Sequence, residues 1–180
     1  MKRKIIWIPG LVAVLLVAII AAVVVIVLNR GSDEVGKWYH GRNLYINLDR
    51  AYRVDKVVNT DVSGKNTLLR PQKADYELAA LFITVANFSA ARNLIFIDGD
   101  AAFVVDEEGN NYPLINPLQG EQGPDSDPEM NKYGPPLWGS ADLPKDYQIS
   151  GWIYFEVPRG RRLSYILWEE ADNFRAYLAK

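Results

Sequence analysis

The chain has 180 residues, no cysteine and a formal net charge of −2. Without cysteine it can hold neither a disulfide nor a metal bound through thiolates. The charge is uneven, because all 22 acidic residues follow position 32, and residues 31–180 carry 16 lysines and arginines, a net charge of −6. An acidic domain has no electrostatic reason to bind nucleic acid or an anionic lipid surface. We therefore exclude nucleic acid as a partner and leave basic partners, cations and neutral ligands open. Among these, a protein partner is expected.

The start of the chain has the pattern of a membrane anchor. The 24 residues from Ile5 to Leu28 carry no charge. At about 1.5 Å per residue such a helix spans roughly 36 Å, more than the roughly 30 Å hydrocarbon core of a bilayer. Trp7, near the start of this segment, suits the membrane interface. Residues 5–28 are therefore predicted to form one transmembrane helix.

Basic residues before this segment set its orientation. They are Lys2, Arg3 and Lys4, in a predicted cytoplasmic tail of residues 1–4. Because flanking lysines and arginines stay in the cytoplasm, the rest of the chain is expected outside the membrane. A cleaved signal peptide is the alternative, with an apolar region of about 7–15 residues that ends in a small-x-small site. Here the apolar run continues to Leu28 without such a site, which favours an uncleaved single-pass anchor in the cell membrane.

The chain after the anchor divides into a short stalk and one domain. Residues 29–42 are polar and contain glycine, which predicts a stalk before a domain of residues 43–180. Residues 76–88 are apolar on both faces, as in a central strand that is covered on both sides. Residues 118–136 are rich in proline and glycine and predict a long exposed loop. Residues 169–180 have helical spacing and predict a short terminal helix.

About seven short segments alternate apolar and polar residues, and none outside the anchor reads as a long helix. This pattern predicts a mainly β fold, an antiparallel β-sandwich, with a closed barrel as the alternative.

Three stretches indicate a particular kind of sandwich. They are residues 82–89, a strand that ends in an Asn-x-Ser glycosylation sequon; residues 103–112, a strand with an acidic glycine turn and an aromatic residue; and residues 143–158, with the sequence Gly-Trp-Ile-Tyr-Phe-Glu-Val-Pro at its end. In order and spacing they resemble the telokin-like, immunoglobulin-like domains of unknown function on bacterial lipoproteins and membrane-anchored surface proteins. The resemblance covers residues 43–168.

This resemblance implies an immunoglobulin-like fold and a surface location. It implies no reaction and supplies no catalytic residues. The chain departs from the family in its long 118–136 loop and in the absence of a lipobox cysteine. Anchoring is therefore assigned to the predicted helix rather than to a lipid.

Residues with catalytic chemistry are scarce. His40 is the single histidine and lies in the predicted stalk, where a polar surface role is favoured over that of a general base. With one histidine and no cysteine, a transition-metal site is not expected. No glycine-rich phosphate-binding loop follows a strand. The sequence therefore predicts no catalytic residue and no cofactor.

Carboxylates cluster in residues 98–100, 106–108 and 125–129. Asp98 and Asp100 are the candidate calcium ligands, because calcium takes six to eight oxygen ligands and Asp-x-Asp spacing supplies some of them. The spacing fits no EF-hand, and solvated turns are the favoured alternative. A carboxylate pair for glycoside hydrolysis stays open, although no one pair is selected by the sequence.

Aromatic side chains are the other candidate for a binding surface. Trp152 and Tyr154 alternate with Ile153 and Phe155, so they are expected on the outer face of a strand. Exposed amphipathic rings on a sheet face can bind sugar or protein. The alternative is that the long loop covers them, with Trp138 as a plug.

The sequence thus favours a non-enzymatic binding or assembly module held outside the membrane by its anchor. An accessory subunit that docks into a larger membrane complex through its helix is the second hypothesis. A carboxylate-based hydrolase is the third.

Overall fold

The computed structural model describes residues 36–61 and 63–178, which form 13 strands and no helix. The strands are β1 Trp38–His40, β2 Tyr45–Val54, β3 Val57–Thr60, β4 Asn66–Leu69, β5 Tyr76–Asn87, β6 Arg92–Ile97, β7 Ala102–Asp106, β8 Asn111–Pro113, β9 Glu121–Gln122, β10 Gly139–Pro144, β11 Tyr147–Pro158, β12 Leu163–Trp168 and β13 Phe174–Tyr177. No helix in this part of the chain is long and apolar enough to cross a membrane. The predicted span at residues 5–28 lies outside the described residues.

The described strands form four antiparallel sheets. The first has the order β1-β2-β5-β11 and the second the order β13-β12-β7-β8, while β10-β6 and β3-β4-β9 form two smaller sheets. The long strands β5 and β11 pair over twelve residues, from Tyr76 opposite Pro158 to Asn87 opposite Tyr147. The pairing of β2 with β5 shifts between Leu48 and Arg50, which marks a β-bulge. The prediction of a mainly β, antiparallel domain is confirmed.

The main hydrophobic core lies between the first and second sheets. Alternate residues of β5 and β11, such as Ile83 and Phe155, are buried against Val104, Ile166 and Trp168 of the second sheet. Burying one such side chain fully contributes about 1.5–3 kcal/mol. Two sheets that share one core in this way make a β-sandwich.

The other face of β5 is covered over residues 78–82. Leu78 and Ala80 pack with Val57 and Leu69 of the β3-β4-β9 sheet and with Tyr133 of the proline- and glycine-rich segment. The prediction of a central strand at residues 76–88 is therefore confirmed, and its cover on both sides is confirmed for residues 78–82. This second cover determines which part of the outer sheet face stays open.

Both ends of the domain differ from the sequence prediction. The prediction of a terminal helix at residues 169–180 is wrong, because Phe174–Tyr177 form strand β13, which pairs with β12. Strand β12 offers this segment backbone partners along one side, at Tyr165 to Trp168, whereas a short isolated helix is marginal. The stalk predicted at residues 29–42 overlaps β1, whose residues pair with Tyr45–Asn47 of β2. The first sheet thus begins inside the predicted stalk.

Candidate binding surfaces

The aromatic face predicted at Trp152 and Tyr154 is buried. Their side chains are 4% and 1% exposed, so the prediction of an open face there is wrong. The Trp152 ring lies 5.2 Å from the ring of Tyr133 and 5.3 Å from that of Phe82. The alternative, a cover from the long loop, describes the structure. The loop residue that packs on Trp152 is Tyr133, whereas Trp138, the residue expected there, packs against the main core.

Backbone hydrogen bonds fasten this cover to β11. The Leu137 N–H donates to the Trp152 carbonyl at 2.8 Å, and the Trp152 N–H donates to the Pro135 carbonyl at 2.9 Å. A side chain at Gly151 would meet both Leu137 and the Pro135 carbonyl at 2.8 Å, closer than carbon atoms normally approach. The close approach of the loop therefore depends on glycine at position 151.

Tyr154 also holds the covering loop in place, through a hydrogen bond to its residue Tyr133. Its hydroxyl donates to the Tyr133 carbonyl and accepts a hydrogen bond of 3.2 Å from the Asn59 side-chain amide. Burial raises the pKa of Tyr154 far above its usual range, so the hydroxyl keeps the proton that it donates. Trp152 and Tyr154 thus stabilise the fold and are not available to a partner.

The uncovered half of the same sheet face carries a row of four rings from Trp38, His40, Tyr45 and Phe88, which we call the aromatic strip. Ring centroids are 5.8 Å apart for Trp38 and Phe88, 5.1 Å for Phe88 and Tyr45, and 5.6 Å for Tyr45 and His40. Trp38 and Phe88 are 43% and 42% exposed. The pairing of β1 with β2, which places His40 opposite Tyr45, brings the rings together.

Polar groups border the aromatic strip. The Asn47 amide donates to the Gly36 carbonyl at 2.9 Å, and the hydroxyls of Thr84 and Ser150 share a hydrogen bond of 2.7 Å. Sequence reasoning missed the strip because it assigned Trp38 and His40 to the stalk. The alternation of Trp38, Tyr39 and His40 was the available signal, since it places the first and third side chains on one face of a strand.

A second exposed apolar surface lies on β6. Leu94 and Phe96 project from one face of this strand and are 69% and 54% exposed, while Ile95 and Ile97 on the other face are buried in the main core. Within the described residues β6 pairs with β10 alone. The Phe96 N–H donates to the Glu170 carboxylate at 2.8 Å, so a side chain rather than a strand satisfies this donor. We call Leu94 and Phe96 the β6 surface.

The candidate calcium ligands form a turn. The Asp98 side chain accepts a hydrogen bond of 2.9 Å from the Asp100 N–H, and the Asp98 carbonyl accepts one of 3.3 Å from Ala101. No cluster of three or more histidine, aspartate or glutamate side chains suited to a metal occurs in the part of the chain that the structure describes. The geometry of Asp98 and Asp100 is that of a turn, as in the favoured alternative.

Asp106 belongs to the hairpin between β7 and β8. Its buried carboxylate accepts hydrogen bonds of 2.9 Å from the Glu108 N–H, from the N–H and side-chain amide of Asn110, and from the Tyr112 hydroxyl. Burial alone would raise the pKa of Asp106, but these bonds outweigh it and lower the pKa to about 2. The pKa of Tyr112 is raised to about 12 by burial and by this bond to Asp106. The turn therefore holds a charged, fully bonded aspartate.

Four other carboxylates that were open to a hydrolase stand in ion pairs. Asp127 pairs with Lys56, whose hydrogen bond lowers the pKa of Asp127 below its usual range. Three further pairs are Glu107 with Arg162 at 3.1 Å, Glu129 with Lys132 at 2.6 Å, and Glu108 with Arg161. These carboxylates are engaged with cations, as expected of structural and surface charges.

The glycosylation sequon is also part of the fold. The Asn87 side chain is fully buried, and its amide donates at 2.9 Å to the carbonyls of Ala90 and Leu143. Its oxygen accepts a bond of 3.0 Å from the Ala90 N–H. Asn87 therefore joins the end of β5 to β10, and its side chain is not accessible for modification in the folded domain.

Comparisons with known proteins are informative about the fold alone. No family model and no curated protein matches the chain. Among solved structures, the yjhA protein of Bacillus subtilis is similar at a TM-score of 0.50 and 11% identity, over 76% of this chain and 81% of that one. A conserved hypothetical protein of Bacillus anthracis has a TM-score of 0.48 and 11% identity, over 80% and 93% of the two chains. The secreted protein MPT63 of Mycobacterium tuberculosis has a TM-score of 0.42 and 15% identity, over 78% and 90%. The described domain thus shares an all-β fold with yjhA.

Proposed function

We propose that the chain is a binding or assembly module without catalytic activity, anchored by residues 5–28 and displayed outside a bacterial membrane on an immunoglobulin-like sandwich. The β6 surface is its contact with a protein partner. The observation that carries this proposal is the exposure of Leu94 and Phe96, at 69% and 54%, on a strand with one described neighbour. Two apolar side chains of this size on one face of an edge strand are costly to leave in water unless a partner covers them.

The surroundings of the β6 surface also favour a protein partner. Arg92 and Asp142 form a two-bond ion pair beside Leu94, with N–O distances of 2.7 and 2.6 Å. Ser140 lies opposite Phe96 on β10. An apolar centre with a polar, charged rim is the usual anatomy of a protein–protein contact. The engaged carboxylates described above give no support to the hydrolase hypothesis.

Co-purification of the full-length protein from its native membrane in mild detergent tests this proposal. The test variant replaces both Leu94 and Phe96 with serine, and the matched control replaces Leu118, which is 60% exposed in a turn. We expect a stoichiometric protein to accompany the wild type and the Leu118→Ser control and to be lost from the double variant. Melting temperatures should agree among all three, because exposed residues contribute little to stability.

Three results would contradict the proposal. Equal recovery of the partner with all three proteins would remove the β6 surface from the contact. Loss of the partner on exchange of residues 5–28 for an unrelated apolar span, but not in the double variant, would instead identify an accessory subunit docked through its helix. Recovery of the wild type without any accompanying protein would contradict the proposal of a protein partner.

A further inference from the structure

We propose that the aromatic strip, with the polar groups that border it, binds a neutral oligosaccharide, a chain of sugar rings without charged groups. This site is distinct from the β6 surface and adds a ligand of a second class to the proposed protein contact. All of its residues lie in the described domain, so it is independent of the predicted membrane span.

The outer face of the first sheet carries two rows of side chains at the strip. Strand pairing places in these rows, one row after the other, Trp38, Asn47, Thr84 and Ser150, then His40, Tyr45, Ala86 and Gln148. The Phe88 ring, two residues after Ala86, lies 5.8 Å from the Trp38 ring and 5.1 Å from the Tyr45 ring. One continuous face therefore has aromatic rings on one side and hydroxyl and amide groups on the other.

The charge of these rows indicates an uncharged ligand. None of their eight residues is aspartate, glutamate, lysine or arginine, although such residues make up 23% of the chain. Arg50, farther along β2, pairs with Asp49 at 2.9 Å, and its guanidinium lies over the Phe82 ring at 4.7 Å. A charged group of a ligand would lose water at this face without gaining an opposite charge. The net charge of −6 over residues 31–180 further disfavours an anionic sugar.

The chemistry of the face matches that of a sugar ring, which has a face of C–H groups and a rim of hydroxyls. The C–H face can pack on the exposed rings of Trp38 and Phe88. The hydroxyls can exchange hydrogen bonds with the Asn47 amide and the exposed Ser150 hydroxyl. Ser150 and Thr84 share one bond of 2.7 Å, which uses one of their two hydroxyl hydrogens and leaves the other for a ligand. Apolar surface with a few placed polar groups is the usual composition of a small-ligand site.

The border of the strip also differs from that of the β6 surface. An ion pair of Arg92 and Asp142 lies beside the β6 surface, as in the charged rim of a protein contact. The strip is bordered instead by neutral amides and hydroxyls. Pairing of β1 with β2 and of β2 with β5 holds its rings together before a ligand arrives. Little side-chain entropy is then lost on binding, which favours a ligand that makes only a few contacts.

Isothermal titration calorimetry of the full-length protein tests this site. The protein is kept in lauryldimethylamine oxide, a detergent without a sugar headgroup. The neutral probes are the hexasaccharides of glucose, mannose and N-acetylglucosamine. Hexagalacturonate is the anionic comparison, and decaproline represents an extended peptide, which aromatic grooves also bind. The test variants are Trp38→Ala and Phe88→Ala, and the matched control is Tyr147→Ala, which removes a ring that is 63% exposed on the opposite face of β11 from Ser150.

We expect at least one neutral hexasaccharide to bind the wild type and the Tyr147→Ala control with equal affinity. Trp38→Ala and Phe88→Ala should each weaken that binding by about tenfold, the usual effect of removing an aromatic anchor from a contact. Thr84→Val should weaken it by about threefold, because it removes a hydroxyl and keeps the shape of the side chain. Thermal unfolding of each variant checks that the domain is folded.

Four results would overturn the inference. The first is no binding of any neutral hexasaccharide to the wild type, and the second is equal binding by the wild type and both ring variants. The third is tighter binding of hexagalacturonate than of the neutral probes. Binding of decaproline and of no sugar is the fourth, and it would identify an extended peptide as the ligand. Co-purification with the Leu94 and Phe96 double variant concerns the other surface, so the two proposals can fail separately.

Discussion

The outer face of the first sheet has two halves of similar composition, of which one is buried and the other is exposed. One half, around Trp152, Phe82 and Tyr154, is covered by Tyr133 and the small β3-β4-β9 sheet. The other half, the aromatic strip, has Trp38 and Phe88 exposed. Both halves are rows of rings on neighbouring strands. The difference shows that aromatic side chains on a sheet face do not by themselves indicate a binding surface, since coverage by another segment decides their role.

The largest expected effect is on the free energy of unfolding, and it should differ between the two halves. Trp152→Ala removes a buried ring that contacts Tyr133 and Phe82, and should lower the free energy of unfolding by about 3–5 kcal/mol. Trp38→Ala on the open half should change it by less than about 0.5 kcal/mol. Near-ultraviolet circular dichroism of the full-length protein in detergent, followed through urea unfolding, measures both. Similar losses from the two variants would contradict the distinction between the halves.

A smaller loss of stability is expected from a change at Asp106, whose polar side chain is as deeply buried as the covered rings. Asp106→Asn replaces a buried carboxylate that accepts four hydrogen bonds, and should cost about 2 kcal/mol near neutral pH. Because the folded-state pKa of about 2 lies below the ordinary value of 3.8, this contribution is complete above about pH 4 and is lost as the pH falls through about 2.

Urea unfolding at a series of acidic pH values measures this dependence. The gap in stability between the wild type and Asp106→Asn should narrow steadily between about pH 4 and about pH 2. A gap that stays constant over this range would mean that the charge of Asp106 does not stabilise the hairpin.

The smallest expected difference in stability is between two variants that each remove one tyrosine hydroxyl, one from each half. Tyr154→Phe leaves the Tyr133 carbonyl and the Asn59 amide without this partner, and should cost about 1–2 kcal/mol. Tyr45→Phe, its counterpart in the aromatic strip, should change stability by less than about 0.5 kcal/mol. Thermal unfolding resolves such a difference, because 1 kcal/mol shifts Tm by roughly 2–4 °C in a chain of this size. Equal Tm values for the two variants would remove Tyr154 from its role in fastening the cover.

The sequence predicted several features of the domain correctly for local reasons. Residues 76–88 are apolar on both faces, and the structure covers both faces of β5 over residues 78–82. The alternation of Trp152 and Tyr154 with Ile153 and Phe155 placed the two pairs on opposite sides of β11, which is also observed. A period of two depends only on the geometry of one strand, so it can be recognised without knowledge of the neighbours.

Two errors arose where a short segment fits more than one pattern. Residues 169–180 match a helical spacing, but the alternation of Phe174 to Tyr177 also matches a strand, and the free edge of β12 selects the strand. Trp38 to His40 looked like part of a polar stalk because three residues are too few to show a clear period. Their pairing with β2 makes them a strand.

By itself, the sequence determined the acidic charge of residues 31–180, the absence of thiol chemistry, the β-rich character and the phase of each long strand, because these follow from residue types and local alternation. Tertiary structure alone decided which half of the outer sheet face is covered. The contact between Trp152 and Tyr133 joins residues 19 positions apart, and that between Trp38 and Phe88 joins residues 50 positions apart. Such contacts depend on how segments meet in space, and this arrangement places the open aromatic strip at β1 and the exposed apolar side chains at β6.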